Sequence, residues 1–85
     1  MSGYYDAIEA DLERILQRIG ELEPEGDEEM RAYIDAGEYG LALETLCAVL
    51  KARRQTISAE AYAAISDLAE RVGVDSAWWR VLEIS

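Results

Sequence analysis

The sequence predicts an all-α fold, a small single-domain bundle of four or five short helices within residues 1–85. Apolar residues recur at the three- and four-residue spacing of helices, residues with high helix propensity dominate, and glycines separate the periodic segments. No run alternates apolar and polar residues with a period of two, and no Asn-Gly turn occurs. No strand is therefore expected.

The first predicted helix covers about residues 5–20 and ends near Gly20. Its apolar face consists of Ile8, Leu12, Ile15, Leu16 and Ile19. The segment from Glu21 to Glu29 then holds six acids around Pro24 and Gly26, a composition typical of a solvated turn.

The second predicted helix covers about residues 27–36. Asp27 is placed as its N-cap, and Glu28 and Glu29 fall in the first turn, where the positive end of the helix dipole stabilises carboxylates. Gly37 is expected to end this helix in a left-handed conformation. The inward face is formed by Met30, Tyr33 and Ile34.

The third predicted helix, about residues 38–52, is expected to be the centre of the bundle because its apolar face is broad. Glu44 and Thr45 point away from that face. Gly40 in the first turn weakens the helix, and close approach by another backbone is the expected reason for it. The apolar face consists of Tyr39, Ala42, Leu43, Leu46, Cys47, Val49 and Leu50.

Two further helices are predicted, at about residues 58–72 and 75–83. Ser58 is a good N-cap for the first, which Gly73 closes, and Asp75 or Ser76 caps the second. Trp78 and Trp79 are adjacent and point about 100° apart on a helix. One is expected in the core, and the other is either a contact residue for a partner or a cover for the end of the bundle.

The negative charge is concentrated in the first half of the chain. Net charge is −10, and residues 1–44 hold 13 acids against 3 arginines, whereas residues 45–85 hold five of each sign. Such asymmetry favours a directed electrostatic field. Direct nucleic-acid binding is disfavoured because phosphate contacts need clustered Lys and Arg, and the only close group is Lys51, Arg53 and Arg54.

The residue types present disfavour catalytic, cofactor and metal sites, and none is predicted. Histidine is absent and Cys47 is the single cysteine, so zinc sites, Cys-His nucleophiles and intrachain disulfides are not expected. A twelve-residue calcium loop starting at Asp35 fails because position 12 is Leu46. Without a disulfide framework, signal peptide or apolar span, a cytoplasmic location is expected, with no membrane association.

Two stretches carry a family resemblance, "YIDAGEYGLALETLCAVL" and the later "ISAEAYAAISDLAERVGVDSAWW". Together they resemble the MafI-type family of bacterial immunity proteins over roughly residues 30–82. The more specific part is the stretch from Gly37 to Glu44. The acidic run from Glu21 to Glu29 does not match a signature of that family, so its role is inferred from charge alone.

The resemblance implies a chain that binds and neutralises a cognate toxin domain, often a nuclease, made by the same cell. A nuclease site is cationic because it receives phosphate, so an acidic face suits such a partner. A one-to-one protein complex is expected, or alternatively a small helical adaptor that binds a protein through an apolar patch near Trp78 and Trp79. Tyr39 is equally consistent with core and interface. The predicted partner-binding residues are Asp27, Glu28, Glu29, Asp35, Glu38 and Tyr39.

Overall fold

The computed structural model describes residues 4–20 and 24–85 and confirms the all-α fold. Glu21 and Glu23 of the acidic run lie outside the described residues, as do the side chains of Tyr4 and Tyr5. Within the described ranges the elements are the helices α1 (Tyr4–Ile19), α2 (Pro24–Asp35), α3 (Tyr39–Ala52) and α4 (Ala59–Val72), a 3₁₀ turn (Ser76–Trp78), and the strands β1 (Thr56–Ile57) and β2 (Glu83–Ile84).

The helix α3 forms the centre of the bundle, as its broad apolar face predicts. The side chains of Leu43, Leu46 and Leu50 are fully buried, and apolar residues of α1, α2 and α4 join them in one core cluster. No polar or charged side chain among the described residues is buried. The core therefore stabilises the fold by apolar burial, and every described charge is left at or near the surface.

Two helix-end signals, Gly37 and Ser58, act where the sequence predicts. Gly37 has a φ of +78°, and beyond it the N–H of Glu38 donates to the carbonyl of Tyr33 at 2.8 Å, a pairing that closes α2. Ser58 caps α4 by accepting a hydrogen bond from the N–H of Ala61 at 3.0 Å. These contacts fix the angles at which α3 and α4 leave their connections.

The predicted start of the second helix at Asp27 is wrong, because α2 begins at Pro24. Proline is favoured at the first helical position, where its fixed φ suits a helix and its missing N–H leaves no donor unpaired. Gly26 is then inside the helix, where it faces the side chain of Val49. Asp27 lies in the first turn and is not the N-cap.

The predicted last helix, 75–83, is also wrong. Only the 3₁₀ turn forms, capped by Asp75, whose carboxylate accepts the N–H of Ala77 at 2.8 Å. The chain then extends into β2, which pairs in parallel with β1 through the register of Ile57 with Ile84. The extended path buries Leu82 against the core, so apolar burial outweighs helix propensity. Strands of two residues are too short to produce a period in the sequence.

Two glycines mark how closely helices approach α3. A Cβ built on Gly26 would lie 2.7 Å from Cγ2 of Val49, which is too close for two carbons. A Cβ on Gly40 would lie 3.7 Å from the carbonyl oxygen of Val72, an ordinary contact. The backbone of Val72 does lie near Gly40, but not close enough to explain the glycine as expected, and of these two positions only Gly26 has no room for a Cβ.

We expect Gly26→Ala and Gly40→Ala to change stability in opposite directions. Overpacking against the stiff Val49 costs about 1–3 kcal/mol, which exceeds the gain of up to about 1 kcal/mol from alanine's helix propensity. At Gly40 there is room for the methyl group of alanine, so Gly40→Ala should stabilise the fold by the gain in helix propensity. Urea unfolding of both variants measures the two differences, and a Gly26→Ala protein as stable as the parent would contradict the packing account.

The carboxylate of Asp11 joins α1 to α4. It accepts hydrogen bonds from Arg71 of α4 and from Arg14 one turn along α1. The hydrogen bond from Arg71 is the largest cause that lowers the pKa of Asp11 below its ordinary value of 3.8. Charge-assisted contacts of this kind favour the ionised form of the acid.

We expect Asp11→Asn to destabilise the fold by up to about 1 kcal/mol at neutral pH. Because the folded-state pKa is depressed, this contribution is fully present above pH 3.8 and is lost as the pH falls through the lower folded-state value. Thermal unfolding of parent and variant should therefore converge in acid. Asp35→Asn, at an exposed position of α2, is the matched control, and an equal pH dependence in both variants would contradict the assignment.

Candidate functional site

Exposed carboxylates follow the outer side of α2. Glu25, Glu28, Glu29 and Asp35 are exposed, while Met30 on the opposite side of the helix is fully buried. With about 100° between successive residues, the four carboxylates lie within an arc of about 120°. We call this set the acidic ridge. Three of its members, Glu28, Glu29 and Asp35, were predicted from the sequence.

The arginines of the leading half do not neutralise the acidic ridge. Arg14 pairs with Asp11, and Arg18 lies 3.7 Å from the carboxylate of Glu60 on α4. Arg31 contacts Glu13 and Asp27. Among residues 4–20 and 24–85 no ion pair reaches a carboxylate of the ridge, so its charge faces solvent uncompensated.

Asp27 is separated from the ridge. Its carboxylate lies 3.2 Å from Nε of Arg31, whose terminal nitrogen donates to Glu13 of α1 at 2.9 Å. The hydrogen bond to Glu13 is the largest cause that raises the pKa of Arg31. Asp27 thus takes part in the junction between α1 and α2, and its charge is partly balanced there.

Glu38 and Tyr39 lie at the start of α3, away from the outer side of α2. They line an open depression of about 410 Å³ with Leu41, Glu44 and Arg71. Tyr39 is half-buried and packs against the core cluster, which shows the core contact expected as one of its two alternatives and leaves part of its side chain in solvent. Leu41 and Glu44 continue from this depression onto the exposed face of α3.

That exposed face of α3 forms an apolar groove, of which the sequence indicated only a patch near Trp78 and Trp79. Two adjoining depressions of about 360 and 520 Å³ share Ala48, Ala52 and Trp78. Alanines form the floor, Tyr33 of α2 lines one side, and Trp78 with Val81 lines the other. We call this surface the α3 groove. Leu41, Trp78 and Val81 remain 42%, 39% and 50% exposed.

The two tryptophans separate as adjacent residues are expected to. Trp79 packs against the core, with its ring 5.6 Å from that of Tyr62 in an edge-to-face arrangement. Trp78 is exposed beside the alanine floor of the α3 groove. Trp78 is therefore accessible to a partner, whereas Trp79 is part of the packing that stabilises the fold.

Charges at the α3 groove are arranged unevenly. Glu29 and Glu44 line the depression that Tyr33 borders, whereas Lys51 lines the depression that Val81 borders. Glu29 belongs to both the acidic ridge and the groove, so the two surfaces are continuous. An apolar centre with a charged edge is the usual composition of a protein-protein interface.

Within the ranges 4–20 and 24–85, no group of three or more His, Cys, Asp or Glu side chains is placed to hold a metal ion. No described helix has the length and apolar composition needed to cross a membrane. Cys47, at the floor of the α3 groove, is buried, and desolvation raises the pKa of its thiol to about 12.

We expect Cys47 to react slowly with thiol reagents in the folded protein. The rise in pKa from 9.0 to about 12 reduces its thiolate fraction roughly a thousandfold near neutral pH, and burial slows access further. Ellman's reagent should modify the chain rapidly only after denaturation. Native modification as fast as that of an unfolded peptide would show that the α3 groove opens to the thiol.

Comparisons with known proteins leave the family unassigned. A scan against protein-family models, a search of curated proteins and a search of solved structures each returned no match to this chain.

Proposed function

We propose that the chain is an immunity protein that binds and neutralises a cognate bacterial toxin domain, a basic nuclease, and that it has no enzymatic activity of its own. The complex is one-to-one and forms in the cytoplasm. The acidic face meets the cationic approaches to the toxin's active site and competes there with the phosphates of its substrate. The resemblance to the MafI-type family supports the same function.

The uncompensated acidic ridge is the observation that carries this proposal. Like charges held close together repel one another and slightly destabilise the fold, so a ridge without basic neighbours is best explained by a partner that supplies them. The three arginines of the leading half pair with other acids, Arg14 within α1 and Arg18 and Arg31 between helices. Glu38 and Glu44 add negative charge at the depression beside the start of α3, and Glu44 also borders the α3 groove.

A second candidate function is a small helical adaptor that recruits a protein through apolar contact. The exposed Trp78, Leu41 and Val81 favour it, because large apolar side chains grouped at a surface commonly mark a binding site. The two candidates differ in how far binding depends on charge. Salt dependence therefore separates them.

The direct test uses the reading frame immediately upstream of this gene. We expect its product to carry a basic C-terminal domain that stops growth when expressed alone, and co-expression of this chain to restore growth. An upstream product that is harmless, or toxicity that this chain does not relieve, would contradict the proposal.

We expect association with that toxin domain to be steered by charge. Raising salt from about 20 to 500 mM should slow association at least tenfold, because the Debye length shrinks from roughly 20 Å to 4 Å. Replacing Glu28, Glu29 and Glu38 by Gln should slow association about tenfold at low salt and change dissociation less. Stopped-flow fluorescence measures both rates.

The matched control removes the same charge from the trailing half, with Glu60, Glu70 and Glu83 replaced by Gln. It should reduce the rate much less than the triple variant of the leading half. Equal effects of the two triples would indicate that only net charge matters. Binding that is insensitive both to salt and to the first triple would favour the adaptor.

A further inference from the structure

The α3 groove has the shape of a site for a helix. Its floor runs from Leu41 to Ala52, a length of about 16 Å or three helical turns. Ala48 and Ala52 keep the floor low between Tyr33 on one side and Trp78 on the other. Small residues on a helix allow a second helix to approach to about 8 Å between axes.

The groove is also apolar without being covered. Leu41, Trp78 and Val81 leave two fifths to one half of their surface in solvent, and Ala48 and Ala52 are exposed. Removing apolar surface from water stabilises a complex by about 25 cal/mol for each Å² that is buried. Among residues 4–20 and 24–85, no element lies across the floor, so the groove is open to a partner.

The charges around the α3 groove indicate which kind of helix would bind there. On the α2 side, Glu29 borders the groove and the rest of the acidic ridge lies beyond it, while Lys51 lines the depression on the Trp78 side. A helix in the groove would therefore place Lys or Arg over the α2 side. A second copy of this chain is disfavoured, because each copy brings a net charge of −10 and like charges repel.

We propose that the α3 groove binds an amphipathic helix of the toxin domain, with the helix's apolar stripe over Ala48 and Ala52 and its basic edge against Glu29. This inference rests on the proposed function in identifying the partner as the toxin, whereas the shape and chemistry of the occupant come from the groove itself. Helix-in-groove binding supplies desolvated contact, and the acidic ridge supplies steering.

A model peptide tests the groove independently of the toxin. The probe is a helix of about 18 residues made of Leu and Lys, with Leu at helical spacing on one face. The matched probe has the same composition in an order without that spacing, so its charge is the same. We expect the amphipathic probe to bind one-to-one at least tenfold more tightly, and amide shifts by NMR to concentrate at Leu41, Ala48 and Trp78.

Variants of the full chain locate the contact. Ala48→Gln fills the floor without adding charge and retains high helix propensity, so the fold should be unaffected while affinity falls at least tenfold. Ala52→Gln is a second variant of the floor. Ala63→Gln, at an exposed position of α4, is the control and should leave affinity unchanged. Circular dichroism verifies folding of each.

Three outcomes would overturn the groove assignment. They are equal affinity for the two probes, an Ala48→Gln protein that binds like the parent, and self-association by sedimentation that Ala48→Gln abolishes, which would make a second copy the occupant. The toxin domain separates this inference from the proposed function. If the toxin binds the parent and the Ala48→Gln protein equally well, the groove assignment fails and the proposed function stands. If the amphipathic probe binds and the toxin does not, the proposed function fails and the groove remains a site for a basic helix.

Discussion

The packing of α2 on α3 is the constraint on which the rest of the structure depends. Gly26 allows α2 to lie directly against Val49, where any larger residue would meet the valine methyl groups. Met30 and Ile34 then reach the core, and the carboxylates on the opposite side of α2 are turned to solvent. The same contact places Glu29 and Tyr33 beside the exposed face of α3. One close approach thus joins the acidic ridge to the α3 groove.

The leading half uses its few basic residues to hold helices together. Arg31 connects α2 to Glu13 of α1, and Arg18 reaches Glu60 of α4. Exposed pairs of this kind add at most about 1 kcal/mol each, so they orient helices more than they stabilise them. Their placement leaves the acidic ridge unbalanced. The acidic ridge and the α3 groove, which would bind a partner by charge and by apolar contact, are consequently neighbouring parts of one surface.

Sequence reasoning succeeded where a local signal determines the structure. Gly37 and Ser58 each act through contacts within a few residues, and the broad apolar face of residues 38–52 identified the central helix. It failed at residues 24–27. Pro24 and Gly26 indicate a turn in the sequence, but in the structure Pro24 begins α2 and Gly26 allows α2 to contact Val49. It failed again at 75–83, where burial of Leu82 favours extended chain.

The candidate site was predicted only in part for a similar reason. The charge asymmetry is visible in the sequence, but Asp27 and Glu13 are drawn to Arg31 only once α1 and α2 pack. Apart from a patch near Trp78, the α3 groove was missed because the exposed face of α3 mixes small apolar residues with Glu44, Thr45 and Lys51 and so has the pattern of a solvated helix face. Ala48 and Ala52 form the floor of a groove because the 3₁₀ turn places Trp78 beside them, a contact that the sequence does not reveal.

We propose that the surface formed by α2 and the exposed face of α3 meets a basic partner. Amide hydrogen exchange of the chain, measured alone and in complex with the upstream toxin domain, tests it most directly. The account predicts that slowing of exchange concentrates in residues 24–35 and 38–52, with α4 unchanged. Protection confined to α4, with α2 exchanging as in the free protein, would contradict it.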